Sequence, residues 1–485
     1  MPASSRPGSI TNRAAGGAAA LAAGCVLVAL VLVLVWAVAD VRARPPMGGE
    51  GEALFEAARM RAHLPLYTDP IAGAWDQGAP PARYYVLYPP LWSWALSLLP
   101  APALSYGFGA ALVFARLAAL ACWLGALVVL VARADVGARW HALAFAAFFA
   151  SIFNLALFAV AARPDSLAAL CAAVALERAT RHGGVDAVAG ALFAVAAWTK
   201  PTVVGLGAGA IGATVLVAPR LAVRACASAA AVSLAIAWLL DHASGGVWLR
   251  HLLAATLQPF DFGHWLASVT HEAFFFFAPV AYAAARAWKG RDDPRLAVGL
   301  GALAGAFGCA FVLVGKSGSA TNYWIESALG VVAIAARTPP PSLTARPALA
   351  AAALAQALWS GVASVRSVPE SIAADARIDA LLASARRTCS ARAGDFVLAD
   401  EVGVELLQNG RSAANTYQLS FLARAGRFPV APWIADVTRP DVTCFIEHFG
   451  AMRRVPELSR ALDARFEAAA GTDGWAVRRL RIRPL

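Results

Sequence analysis

Residues 16–39 read GGAAALAAGCVLVALVLVLVWAVA, twenty-four positions without a single charge. As a helix this stretch would rise about 36 Å, enough to cross a hydrocarbon core about 30 Å thick. Arg6 and Arg13 precede it. The stretch is too long and wrongly flanked for a cleaved signal peptide, so it predicts a first membrane span with a cytoplasmic N-terminus, residues 1–15. Similar apolar runs recur to about residue 364. Spans are expected near 107–132, 140–162, 166–179, 185–199, 201–218, 225–241, 272–288, 296–314, 323–336 and 347–363. That makes about eleven transmembrane helices.

The basic residues give these spans a register. Arg133 and Arg139, Arg178 and Arg181, Arg220 and Arg224, Lys289 with Arg291 and Arg295, and Arg337 with Arg346 fall in alternate turns. Positive charge collects on the cytoplasmic side of membrane proteins, so an eleven-span chain ends outside. Composition agrees: 59% of residues are hydrophobic and 15% charged, where soluble domains hold about 45–50% and about 25%. A soluble cytosolic enzyme, a disordered chain, a coiled coil and collagen are excluded. The net charge of +11 follows from the arginines between spans, and no nucleic-acid partner is expected.

Two segments depart from this pattern. Residues 40–106 form a long first outer loop, in which 88–104, opening Tyr88-Pro89-Pro90-Leu91-Trp92 and broken by Pro100 and Pro102, suggest a helix lying in the interface. From 365 to 485 charge becomes mixed. Asp395-Phe396-Val397-Leu398-Ala399-Asp400 suggests a strand and 454–469 a helix, which together predict a small α/β domain outside the membrane. Five of the seven cysteines lie within spans. Cys389 and Cys444 are the pair in the tail, either a disulfide in an oxidising compartment or two free thiols.

In this register the conspicuous polar groups share the outer face. Of only three lysines against 38 arginines, Lys200 and Lys316 stand there against the positive-inside bias, which marks them as functional candidates. The first loop carries Gly48-Gly49-Glu50-Gly51-Glu52, where Glu50 or Glu52 could accept a proton from an attacking hydroxyl, or be a solvated loop acid. Asp165 follows Pro164 at a span's start and reads equally as a helix cap. Gly315 to Tyr323 could be a plain turn. No His-Glu-x-x-His or comparable metal-ligand spacing occurs.

The order of these pieces resembles the GT-C glycosyltransferases of the aminoarabinose transferase and protein mannosyltransferase group. The pieces are Glu50-Gly51, Tyr67 in Pro-Leu-Tyr, Tyr88-Pro89-Pro90-Leu91, Arg163-Pro164-Asp165, Lys200-Pro201-Thr202, and Gly318 to Asn322-Tyr323. The resemblance spans about 40–335 and weakens in the tail. It implies a polytopic enzyme of the inner (plasma) membrane, with residues 16–364 as the catalytic membrane domain. Its donor would be a polyprenyl-phosphate-linked sugar, used on the outer face. The acceptor would be a glycan, lipid or protein, membrane lipids would surround it, and a divalent cation is left open as a cofactor.

Those enzymes usually present an acidic pair after the first span, and here Gly49 and Glu50 occupy it. The resemblance therefore makes Glu50 the base, with Glu52 in reserve. Arg83, Lys200 and Lys316 become phosphate contacts. Tyr67, Tyr88, Arg163, Asp165, Asn322 and Tyr323 belong around the substrate or in its scaffold. A lipid-linked-sugar flippase and a non-catalytic relative of the same fold are the alternatives. The absence of a clear internal repeat and the placement of the polar groups at one face favour the enzyme.

Overall fold

The computed structural model describes residues 8–43, 49–71, 84–99, 108–256, 258–316, 318–340, 345–389, 395–410, 412–448, 450–472 and 475–481. Helices dominate to residue 388, followed by a mixed four-stranded sheet. Among the described residues, five helices are long and apolar enough to cross a membrane unaided: Ala20–Val41, Gly109–Ala132, Pro219–Ser244, Pro294–Leu313 and Pro347–Pro369. The span expected at 140–162 is instead two helices, Arg139–Ala150 and Phe153–Val160, bent by 82°. A straight helix does not form there because Ser151 and Ile152 leave the helical ladder, Ile152 turning to an extended conformation.

The remaining expected spans are shorter or more polar helices, and packing rather than length keeps several inside. Every residue of Ile325–Ala335 is buried. Val204–Val217 lies against Pro294–Leu313 along facing glycines, Gly205 and Gly209 on one and Gly301 and Gly305 on the other. A Cβ on Gly209 would overlap the Gly301 carbonyl, so only glycine permits this approach.

The Arg-rich turns meet at one end of the bundle. Arg337 donates to Asp135 at 3.0 Å, Arg295 to the same carboxylate at 3.2 Å, and Arg286 to the Pro339 carbonyl at 2.7 Å. The turns carrying Glu50, Arg163, Lys200 and Asn322 meet at the other.

The composition change near 365 is not a structural break, because one helix runs from Ala345 to Thr388 across it. The sheet that follows has the order β1-β2-β4-β3, with β1 Phe396–Ala399, β2 Val442–Glu447, β3 Phe466–Thr472 and β4 Trp475–Leu480. β1 and β2 are parallel, and three short helices between 402 and 437 make the crossover. The helix expected at 454–469 ends at Arg465, where the chain enters β3. Cys389, just past the long helix, is bonded to Cys444 on β2, with Cα atoms 5.7 Å apart. In the interface segment only Leu91–Ser97 is helical among the described residues.

Candidate active site

After the first membrane helix the chain returns to the bundle as the helix Glu50–Arg61, buried on most of its circumference. Gly49 caps it with φ 91°, a left-handed conformation suited to glycine, and a Cβ there would stand 3.0 Å from the Arg163 guanidinium. Successive residues advance about 100° around a helix, so Glu50 and Glu52 face nearly opposite ways. Glu50 points into the bundle and is fully buried. Arg116, in the middle of the 108–132 helix, donates to it through Nε at 2.9 Å and Nη2 at 2.7 Å. The Ala162 amide donates to the same carboxylate at 2.7 Å. A carboxylate with these contacts is held in a closed ion pair, and Glu50 does not line the large cavity described below.

A second closed network joins four turns. Lys200 Nζ lies 2.7 Å from Asp165 Oδ1 and 3.7 Å from Glu326, and donates to the Asn322 carbonyl at 3.0 Å. Asn322 Nδ2 donates to Asp165 at 2.7 Å, and Thr202 to Glu326 at 3.1 Å. Lys200 is 1% exposed, and two carboxylates enclose its charge. It thus ties the turns at Asp165, Asn322 and Glu326 together and does not line the large cavity described below. Arg163 extends this network outward. Its Nη2 donates to the Tyr88 hydroxyl at 2.9 Å, its Nε lies 3.5 Å from Asp165, and the Phe158 ring lies 5.5 Å below it.

Above these anchors opens a cavity of about 1180 Å³. Its floor includes Gly49, Glu52, Tyr88, Arg163, Asn322 and Tyr323. One side is formed by residues 258–264 and Lys316, where Phe260 and Lys316 form an antiparallel bridge. The roof comes from the C-terminal domain, including Asp400, Glu401, Tyr417, Arg424 and Arg454. Arg454 sits over the rings of Tyr417 and Phe421, 5.5 and 5.6 Å from their centroids.

The electrostatics of the walls differ from those of the anchors. One Glu52 oxygen is buried without a hydrogen-bond partner. Burial raises the proton affinity of this carboxyl, and the attraction of Arg163 opposes the rise. Burial pushes the Lys316 ammonium down to about 8 and the Asp400 carboxyl up to about 6, the latter while accepting the His448 amide at 2.8 Å. Glu56, one turn beyond Glu52, is pushed by burial up to about 8 and accepts from Ser93 and Tyr84 at 2.6 and 3.3 Å.

Tyr67, expected at the site, falls elsewhere. Tyr67 packs edge-on against His251, with ring centroids 5.3 Å apart, and does not line the large cavity. His251 ties the loop down, accepting the Val86 amide at 3.0 Å through Nδ1, with Nε2 2.7 Å from the Thr68 carbonyl. Arg83 lies outside the described residues. Among the described residues, no three His, Cys, Asp or Glu side chains are grouped to hold a metal ion.

Sequence reasoning missed Arg116 and the roof. A lone arginine inside an apolar span signals a buried acidic partner. Asp400-Glu401 directly after a strand likewise marked the crossover turn, where ligands sit in parallel sheets.

A helical membrane bundle with a small mixed sheet closing one end over a deep polar cavity defines a polytopic membrane protein of GT-C-like fold. Two solved structures share it: crystal structures of ArnT from Cupriavidus metallidurans, one bound to undecaprenyl phosphate and one in the apo state. Each has a TM-score of 0.60 and 15% identity, and covers 94% of this chain and 98% of its own. No family model and no curated protein matches the chain.

Proposed function

We propose that this chain is an integral-membrane glycosyltransferase that moves a sugar from a polyprenyl-phosphate donor to an acceptor at the outer face of the membrane. The observation that carries the reading is the large cavity in which Glu52, one oxygen of which is buried without a hydrogen-bond partner, lines the same space as the cations Arg163 and Lys316. Glu52 takes the proton of the acceptor hydroxyl. The acceptor oxygen bonds to the anomeric carbon as the bond from that carbon to the phosphate oxygen breaks. The electron pair leaves on the lipid phosphate, which Arg163 and Lys316 stabilise. The course is direct and inverting. The shared fold with ArnT, one of whose structures holds undecaprenyl phosphate, supports a polyprenyl-phosphate partner.

The Arg-rich end of the bundle faces the cytoplasm in this reading, and the C-terminal domain lies outside. Membranes containing the full chain, given radiolabelled polyprenyl-phosphate sugars, should transfer label to a membrane acceptor. Failure across a panel of donors overturns the reading. Reporter fusions after Arg139 and after Leu485 should register cytoplasm and exterior respectively. A cytoplasmic tail would put the cavity on the wrong side for the donor.

A further inference from the structure

Glu401 belongs to the C-terminal domain, and its side chain makes no cap hydrogen bond there. It stands at the N-cap position of the helix Val402–Asn409, where a side chain ordinarily accepts a hydrogen bond from the first turn. Only its backbone carbonyl does so, accepting from Val404 and Glu405 at 3.1 Å each. The side chain makes no cap hydrogen bond and no ion pair with a described residue, yet it is 93% buried and lines the cavity.

What lies beside it is the helix that carries Glu52. A Cβ added to Gly51 would stand 2.6 Å from the Gly403 nitrogen, so the first turns of the two helices touch through bare backbone. This contact brings together Glu52, the residue after Gly51, and Glu401, two residues before Gly403, and both line the cavity.

We propose that Glu401 is a positioning residue for Glu52: the two carboxyls form a pair across the domain boundary, Glu401 keeping its proton and Glu52 carrying the charge. This rests on the reading of Glu52 as base. The base is then set only when the C-terminal domain is docked.

The surrounding charges favour this division. Glu50, on the facing helix, is paired with Arg116. Arg163 attracts Glu52. On Glu401's own side, Asp400 accepts only backbone amides, and Glu405 is held by Ser412 and the Ala399 and Ala413 amides. No cation counts among the groups acting on Glu401, and burial together with Glu52, Asp400 and Glu50 holds its carboxyl well above the ordinary range. A carboxylic acid kept neutral by its surroundings can donate a hydrogen bond to an ionised neighbour.

The test uses the purified full chain in lipid nanodiscs and has an arm independent of activity. Infrared difference spectra between the parent and Glu401→Gln at neutral pH should isolate the carbonyl stretch of one protonated carboxyl. In Glu52→Gln the same band should titrate lower by about one pH unit or more, as interacting sites do. No band in the first difference, or an unmoved titration in the second, overturns the pair.

The second arm measures kcat at saturating polyprenyl-phosphate sugar, where bound phosphate keeps Lys316 charged. The parent should lose rate on the alkaline side as Glu401 ionises. Glu401→Gln, neutral at every pH, should abolish that limb, while Glu401→Ala should lower the rate throughout. Equal effects of Gln and Ala with an unchanged profile would reduce Glu401 to packing and overturn the proposal. If the parent transfers no sugar at all, the enzymatic reading falls while the infrared arm still decides the pair.

Discussion

Glu50 and Glu52 are the same residue type two positions apart, and the fold treats them oppositely. Glu50 meets Arg116 and the Ala162 amide in a closed, dry contact, whereas Glu52 faces the cavity with an oxygen unpaired. The two lysines repeat the contrast, Lys200 being enclosed by Asp165 and Glu326 while Lys316 lines the cavity wall. Charged groups here thus fall in two settings, closed pairs that fasten distant turns and groups that line the cavity, and the proposed function assigns the chemistry to the second.

The sharpest way to break this comparison is to neutralise each acid. Glu52→Gln should lower transfer by about 10²–10⁴-fold, the usual loss for a general base, with yield and melting behaviour retained. Transfer near the parent rate would exclude Glu52. Glu50→Gln should do the reverse. It strands Arg116 in the bundle and should cost about 3–5 kcal/mol of stability, measured as lower detergent-extracted yield and a lower melting temperature. Adding Arg116→Met should recover part of that loss, because the unpaired charge is then gone. A double variant no better than the single would show that the pair is not the source of the cost.

How much of this was legible beforehand follows from the same contrast. The apolar runs foretold the helical membrane class, and the order of short motifs pointed to the GT-C-like fold. Roles within those turns were hidden by geometry that spacing alone does not carry. A two-residue offset swings a side chain about 200° around a helix, so choosing between Glu50 and Glu52 required knowing what lay on each side. Lys200 read as an outward cation because Asp165 and Glu326, its partners, are 35 and 126 residues away. The bend near Ser151 was missed because an apolar run with no proline or glycine reads as continuous helix. Glu401 was passed over because the tail was read for secondary structure, and its contact with the first loop is set by tertiary packing alone.

A smaller effect tests the strap that holds the first loop over the site. The Val86 amide donates to His251 Nδ1, so that nitrogen must be unprotonated. Burial holds the ring's pKa down to about 4, below its ordinary 6.5. The unfolded chain therefore takes up the proton first as pH falls. The contribution is complete above about pH 6.5, declines toward pH 4, and is worth about 3 kcal/mol in all. Melting temperature should fall over that window, and His251→Gln should flatten the dependence. An unchanged slope in the variant would assign the acid sensitivity to other groups.

Lys316 carries the smallest expected effect and completes the contrast with Lys200. Removing a charge-assisted contact costs about 1.5–3 kcal/mol, so Lys316→Ala should weaken binding of a polyprenyl-phosphate sugar by roughly 10–150-fold without lowering the melting temperature. Lys200→Ala, by contrast, leaves Asp165 and Glu326 facing each other and should appear first as lost stability. Because the Lys316 ammonium is held down near 8, the parent should bind donor less well as pH rises through that value, each binding event then requiring uptake of a proton. Lys316→Arg stays charged at every accessible pH and should remove this dependence, even if its longer head binds less tightly. Donor affinity that is flat with pH in the parent, or equal in the parent and Lys316→Ala, would mean that Lys316 does not touch the phosphate, leaving Arg163 as the sole cation assigned to it.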